Sequence, residues 1–106
     1  MKDINLDKMK PLILKSLMEL GVTVRKIILF GSRASGKASK LSDYDFLIVT
    51  EKTYLFPEKM LLSKQVREKL SVYPIDVIIK SVDEFNQQRD EIGTLVREVL
   101  KEGVEI

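Results

Sequence analysis

Apolar residues recur at spacings of three and four between Asp3 and Leu20, which is the pattern of an amphipathic helix. The predicted apolar stripe consists of Leu6, Met9, Ile13, Leu17 and Leu20. Gly21 stands where a glycine commonly ends a helix. Because Pro11 lies inside the stretch, we expect the helix either to begin near Lys10 or to be kinked there.

Two later stretches have the same helical periodicity. The first runs from Pro57, a favoured first residue of a helix, to about Leu70. Its predicted inner face consists of Met60, Leu61, Val66 and Leu70. The second runs from Asp83 to Glu102 and can be divided at Gly93. Its apolar positions are Phe85, Ile92, Leu95, Val96, Val99 and Leu100.

Short apolar runs rich in β-branched and aromatic residues predict the strands. We expect strands over Lys26–Phe30, Asp43–Thr50 and Ile75–Ile79, and a short edge strand over Val104–Ile106. The segment from Gly31 to Ser42 is rich in Gly, Ser and Lys and is predicted to be a loop with room for one helical turn. The second strand is apolar on both faces after its polar start, which is typical of a central strand covered by helices.

The resulting order, α-β-β-α-β-α-(β), predicts an α/β protein of the α+β type. Two consecutive strands joined by a loop form an antiparallel pair, so the sheet is expected to be mixed and mostly antiparallel, with three or four strands covered by helices. A purely parallel Rossmann sheet does not fit this order. The length of 106 residues predicts a single domain over residues 1–106.

Composition restricts the chemistry that this chain can perform. It contains no Cys and no His, which excludes thiol nucleophiles, imidazole bases and the metal sites that use these ligands. Eighteen basic and 16 acidic residues give a net charge of +2, so nucleic acid is not expected as a direct ligand. No apolar run is as long as a membrane span of roughly 18 residues, and residues 1–11 lack the apolar stretch of a signal peptide, which predicts a cytoplasmic protein.

Acidic residues at two predicted strands are the strongest candidates for chemistry. Residues i and i+2 of a strand point to the same face, so Asp43 and Asp45 can bracket a divalent cation. A strand that simply begins with two solvent-facing aspartates is the plainer interpretation of an isolated D-x-D. Asp76 interrupts another apolar strand, and if the two strands are neighbours the three carboxylates meet. Such an oxygen set suits Mg²⁺.

Gly31 and Ser32 follow directly after the first predicted strand. A glycine there allows close backbone approach, and the amides that follow, with the Ser32 hydroxyl, could hold a phosphate. Arg33 and Lys37 add positive charge nearby. The alternative is an ordinary loop in which the glycine and serine only supply turn geometry.

The combination is more specific than its parts. Gly31-Ser32, ten further residues (33–42), Asp43-x-Asp45 and the later Asp76 resemble the signature of the DNA polymerase β nucleotidyltransferase superfamily. Within it, Gly31-Ser-Arg-Ala-Ser-Gly36 and Ser42-Asp-Tyr-Asp-Phe-Leu-Ile-Val49 resemble the minimal nucleotidyltransferase (MNT) group, and the resemblance extends over nearly the whole chain.

The resemblance implies a role for each matching residue. Asp43, Asp45 and Asp76 would be the metal ligands for Mg²⁺, and Asp76 would also accept the proton of the attacking hydroxyl. Gly31 and Ser32 would bind the nucleotide phosphates, with Arg33 assisting. The implied reaction is attack on the α-phosphorus of ATP with release of pyrophosphate. Tyr44 should point away from the aspartates and serve in packing. Independently of the resemblance, Tyr54, Tyr73 and Phe56 are interpreted as core or loop packing and not as a base-stacking platform.

The resemblance also implies a partner. MNT proteins are typically encoded beside a HEPN-domain protein in toxin–antitoxin pairs, so the chain is expected to be an antitoxin that transfers AMP to a hydroxyl of the toxin. A partner chain or a homo-oligomer should complete the cleft, because only the catalytic half of larger nucleotidyltransferases is matched. The alternatives are a non-catalytic antitoxin that neutralises its partner stoichiometrically, and nucleotidyl transfer to a small molecule or RNA.

Overall fold

The structure, a computed structural model, describes residues 4–39 and 42–106. Its elements in chain order are α1 (Ile4–Met18), β1 (Val24–Phe30), α2 (Ser32–Ser35), β2 (Tyr44–Thr50), α3 (Phe56–Lys69), β3 (Ile75–Ser81), α4 (Val82–Gln88), α5 (Leu95–Glu102) and β4 (Val104–Glu105). Asp3, the expected start of the first helix, and residues 40 and 41 of the predicted loop lie outside the described residues. The predicted order of elements is confirmed, with α2 as the helical turn in the loop.

Four strands in the described residues form one sheet in the order β3-β2-β1-β4. β1 pairs antiparallel with β2 and with β4, whereas β2 and β3 are parallel. Residues 31–43, which include the short helix α2, join β1 to β2. Helix α3 provides the crossover that a parallel neighbour requires. The mixed, mostly antiparallel sheet predicted from the sequence is therefore confirmed, with β2 in the interior.

Helices cover both faces of the sheet, and the sheet divides the core into two clusters. The larger cluster lies under α1 and α3 and includes Met9, Ile13, Leu17, Ile27, Leu29, Phe46, Ile48, Val66 and Leu70. The smaller cluster lies under α4 and α5 and consists of Ile28, Leu47, Val49, Phe85, Val96 and Val99. The alternation of odd and even positions along β1 and β2 thus assigns each side chain to one face. None of the helices in the described residues is long and apolar enough to span a membrane.

Helix α1 extends through Pro11 and ends in a glycine motif. The helix runs from Ile4 to Met18, so the expected alternative start near Lys10 is wrong. Gly21 has a φ of 74°, and its N–H donates to Met18 O at 2.9 Å while the Val22 N–H donates to Leu17 O at 3.0 Å. This bond pair satisfies carbonyls at the helix end. Leu20 is 50% exposed and does not belong to the buried stripe, contrary to the prediction.

The buried face of α3 differs from the prediction by one step around the helix. Leu62, Ser63 and Val66 are buried, whereas Met60 and Leu61 are exposed. Leu62, Val66 and Leu70 recur every four residues, and this stripe faces the sheet. Phe56, expected to pack, is 73% exposed.

The C-terminal helical stretch is divided at Gly93, as expected, where φ is 87°. Ile92 lies in the connection between α4 and α5 and is exposed, and Leu95 and Leu100 are also exposed. Val96 and Val99 carry the packing of α5 against the sheet. The predicted apolar set of this stretch is therefore only partly buried.

Side chains form hydrogen bonds with backbone groups along the outer edge of β3. The Tyr44 N–H donates to Pro74 O at 2.8 Å, so the Pro74 carbonyl points toward β2. Because the backbone groups of successive strand residues point to alternate sides, those of Val77 and Ser81 point away from β2. The Val77 N–H donates to Asp76 Oδ1 at 3.0 Å, and Ser63 Oγ donates to Val77 O at 3.4 Å. The Ser81 N–H donates to Glu84 Oε1 at 2.8 Å.

Two adjacent leucines test which face of α3 is buried. Leu62→Ala should lower the free energy of unfolding by about 2–5 kcal/mol, because it removes buried volume from the larger core cluster. Leu61→Ala is the matched control, and since Leu61 is 67% exposed it should change stability by less than about 0.5 kcal/mol. Urea unfolding of both variants measures the difference, and equal losses would contradict this assignment of the buried face.

Candidate active site

Strand pairing brings the three predicted carboxylates to one end of the sheet. Asp45 is the register partner of Phe30 on β1 and of Asp76 on β3. Directly paired residues project from the same face, which here is the face covered by α4 and α5. Asp43 immediately precedes β2, two residues before Asp45. The neighbouring strands that the sequence analysis required are thus confirmed.

The electrostatics of the site are unfavourable in the absence of a cation. Burial, reinforced by the charges of Asp76 and Asp43, raises the pKa of the Asp45 carboxyl above its ordinary value. As the side chains stand, no three acidic groups among residues 4–39 and 42–106 are close enough to hold one metal ion. Asp76 Oδ1 is turned toward the Val77 N–H at the outer edge of β3. The donor set still fits a hard divalent cation, since it is made of carboxylate oxygens whose mutual repulsion a cation would relieve.

Gly31 allows the chain to turn directly beside Asp45. Its φ of 75° and ψ of −158° belong to a region that is essentially restricted to glycine. A Cβ at this position would overlap Asp45 Oδ2 and lie 3.2 Å from Asp45 Cγ. Ser32 follows as the first residue of α2 and is half-buried. The backbone after β1 thus makes the close approach that the sequence predicts, and the group it approaches is the Asp45 carboxylate.

Arg33 contacts the protein backbone on the far side of the loop. Its Nε and Nη2 atoms donate to Ser42 O at 3.2 and 3.0 Å. The guanidinium carbon lies 4.2 Å from the centroid of the Tyr44 ring. Tyr44 is buried and stacks on Phe46, so its predicted packing role is confirmed. The contacts of Arg33 could not be predicted from the sequence, because neither periodicity nor motif spacing indicates a contact between residues nine positions apart.

A cleft of about 350 Å³ adjoins Gly31 on the side of β1 away from Asp76. It lies between the end of β1 and helix α5 and is lined by Phe30, Gly31, Leu95, Glu98, Val99, Lys101 and Glu102. The sequence analysis did not single out these α5 side chains as site residues. Their pattern is that of an amphipathic helix, and only the fold places their exposed ends beside the glycine turn.

The fold and this arrangement define a nucleotidyltransferase domain. The family described as "Polymerase beta, Nucleotidyltransferase" matches residues 13–106, and the chain belongs to this family. A comparison with curated proteins gave no match.

Three solved structures with a similar fold are toxin–antitoxin complexes. One, a toxin–antitoxin with AMP-PNP, is 21% identical with a TM-score of 0.61 over 90% of this chain and 69% of the other. A variant of the MntA–HpeT toxin–antitoxin is 22% identical with a TM-score of 0.60 over 98% and 72% of the two chains. The tri-AMPylated HEPN toxin of Shewanella oneidensis in complex with MNT antitoxin is 19% identical, with a TM-score of 0.59 over 93% and 69%.

Two glycines test what the turn beside Asp45 requires. Gly36 has a φ of 80° and open space around its Cβ position, so Gly36→Ala should cost only about 1–2 kcal/mol of backbone strain. Gly31→Ala should cost roughly 1–3 kcal/mol more, because its backbone lies in a region closed to other residues and because the new Cβ displaces the Asp45 carboxylate. Chemical unfolding of the two variants tests this, and equal costs would show that the contact is unimportant.

The raised pKa of Asp45 predicts that neutralising this residue stabilises the protein by an amount that depends on pH. A carboxyl whose pKa is higher in the folded state binds more protons folded than unfolded, so its contribution to stability falls as pH rises from the unfolded value through the folded value. Asp45→Asn should therefore raise the melting temperature at pH 7, with a smaller difference below the ordinary pKa of aspartate. Asp90→Asn, in the exposed turn after α4, is the control. Identical pH profiles for the two variants would refute the assignment.

Proposed function

We propose that this chain is a Mg²⁺-dependent nucleotidyltransferase that moves AMP from ATP to a hydroxyl of a partner protein. The observation that carries the proposal is the pairing of Asp45 with Asp76 beside Gly31, with Asp43 adding a third charge. Membership of the nucleotidyltransferase family supports the reaction class. The solved relative that contains AMP-PNP supports ATP as the nucleotide.

Each of the site residues has its own role in the proposed reaction. Asp43, Asp45 and Asp76 would hold Mg²⁺, which supplies charge neutralisation at the triphosphate when it is bound. The backbone turn at Gly31 and Ser32 would hold the terminal phosphates. Asp76 would accept the proton as the acceptor oxygen bonds to the α-phosphorus and the bond to pyrophosphate breaks. Because the sequence contains no histidine, we assign this step to a carboxylate.

The proposed acceptor is a HEPN-domain protein, for which this chain would act as the antitoxin. The support is the Shewanella oneidensis complex, in which a HEPN toxin is AMPylated and bound to an MNT antitoxin. Asp76 lies on β3 at the edge of the sheet and is exposed, so an acceptor hydroxyl has access to it from outside. A hydroxyl of a bound protein therefore suits the geometry.

A second candidate function is stoichiometric neutralisation of the toxin without chemistry. It is favoured by the observation that no three acidic groups in the described parts of the chain stand close enough to share one ion. In that case binding to the partner alone would protect the cell. The two functions differ in whether the aspartates are needed.

Transfer of labelled AMP distinguishes the two functions. The wild type, [α-³²P]ATP, Mg²⁺ and the HEPN protein encoded beside it should give a labelled partner. Asp43→Asn and Asp45→Asn should lower labelling at least about 100-fold, because each removes a charge that the transition state requires. Asp90→Asn is the matched control and should label normally.

Three further results complete the test. Mg²⁺ should raise the melting temperature of the wild type more than that of Asp45→Asn. Full labelling by the Asp43 or Asp45 variants would remove these residues from the reaction. Absence of label with the wild type, together with tight partner binding that both substitutions leave intact, would establish the stoichiometric antitoxin instead.

A further inference from the structure

We infer that Arg33 is a positioning residue that fixes the backbone around Asp43, rather than a ligand of the nucleotide phosphates; this inference rests on the proposed function. The starting observation is that two donors of one guanidinium edge, Nε and Nη2, share a single acceptor, Ser42 O. Ser42 is the residue immediately before Asp43. Arg33 thereby ties the first turn of α2 to the start of β2.

The backbone on both sides of Asp43 is held by hydrogen bonds. On one side the Ser42 carbonyl accepts from Arg33, and the Ser42 side chain accepts from the Ser39 N–H at 2.9 Å. On the other side the Tyr44 N–H donates to Pro74 O at 2.8 Å, next to β3. Asp43 itself lies outside the ladder of β2 and is exposed. The direction of its carboxylate therefore depends on these two anchors, of which Arg33 supplies the first.

The position of the guanidinium also indicates a positioning role. It lies over the ring of Tyr44, and side chains alternate along a strand, so Tyr44 projects from the opposite face to Asp45. The Tyr44 ring belongs to the core cluster under α1 and α3, whereas Asp45 and Asp76 project from the face covered by α4 and α5. The guanidinium thus lies on the Tyr44 side of β2, away from the face from which Asp45 and Asp76 project.

This geometry requires arginine and is not satisfied by a positive charge alone. A planar guanidinium can stack on an aromatic face while its edge donates two hydrogen bonds, whereas a lysine ammonium is a point charge without a plane. Arg33→Lys therefore keeps the charge near the site and removes the geometry. Tyr44→Leu removes the stacking ring, and Tyr44 is only 2% exposed, so it has no direct access to a nucleotide.

Steady-state kinetics of AMP transfer with varied ATP test the inference. Arg33→Lys and Tyr44→Leu should each lower kcat on the order of 10- to 100-fold, as expected for a small misplacement of a catalytic group. The KM for ATP should change by less than about threefold, because uniform substrate binding is intact. The double variant should be no worse than the worse single variant. Tyr44→Phe, which keeps the ring, should have a smaller effect than Tyr44→Leu.

Arg25→Lys is the matched control for the change of side chain. Arg25 is exposed, at the opposite end of β1, and pairs with Glu51 at 3.1 Å. Its replacement should leave both kinetic constants at the wild-type values. Melting temperatures of all variants, measured by circular dichroism, identify any loss of kcat that comes from unfolding.

Two kinetic results would contradict the positioning role of Arg33. A rise of tenfold or more in the KM for ATP with Arg33→Lys, at wild-type kcat, would overturn the inference and make Arg33 a phosphate ligand. Normal kcat in a folded Tyr44→Leu protein would overturn it as well.

Hydrogen exchange separates this inference from the proposed function, because it needs no turnover. The amide of Tyr44 should exchange faster in Arg33→Lys and Tyr44→Leu than in the wild type and in Arg25→Lys. Unchanged exchange in Arg33→Lys would overturn the positioning role. If the wild type transfers no AMP, the proposed function fails, and the exchange rates still decide whether Arg33 holds this segment.

Discussion

The burial of Asp45 beside two other carboxylates, at the end of the β2–β3 pair, is the constraint on which the site depends. Backbone pairing fixes Asp45 opposite Asp76, and burial together with these like charges disfavours the ionised form of Asp45. The surrounding fold keeps this arrangement in place with buried strands on either side. Gly31 then brings the β1 turn against Asp45 without a side chain of its own. This arrangement lowers stability when the carboxylates are ionised, and a bound cation would relieve that cost.

Much of this arrangement follows from local sequence pattern. Short apolar runs locate the strands and spacings of three and four locate the helices, and the absence of a crossover helix between the first two strands predicts their antiparallel pairing. Asp43, Asp45 and Asp76 stand out because carboxylates are costly beside buried strands. Gly31 stands out because it directly follows a strand. Each of these inferences uses residues within one element or its immediate flank.

The features that sequence reasoning missed depend on tertiary context. Met60, Leu61 and Leu62 are consecutive apolar residues, so their pattern alone leaves the buried face of α3 ambiguous, and only packing with Val66 and Leu70 selects Leu62. Phe56 has an aromatic side chain typical of a core, yet it is largely exposed at the start of α3. The engagement of Arg33 by Ser42 O depends on how a loop folds back, which composition does not encode.

The bonded edge of β3 limits how another protein can approach Asp76. Recognition by strand addition relies on unpaired backbone groups along a sheet edge. Here both backbone groups of Val77 and the Ser81 amide already have side-chain partners. At Val77 and at the Ser81 amide, a protein that approaches this edge would therefore contact side chains instead of extending the sheet. The same bonds blunt the edge against pairing with other copies of the chain, which disfavours edge-to-edge aggregation.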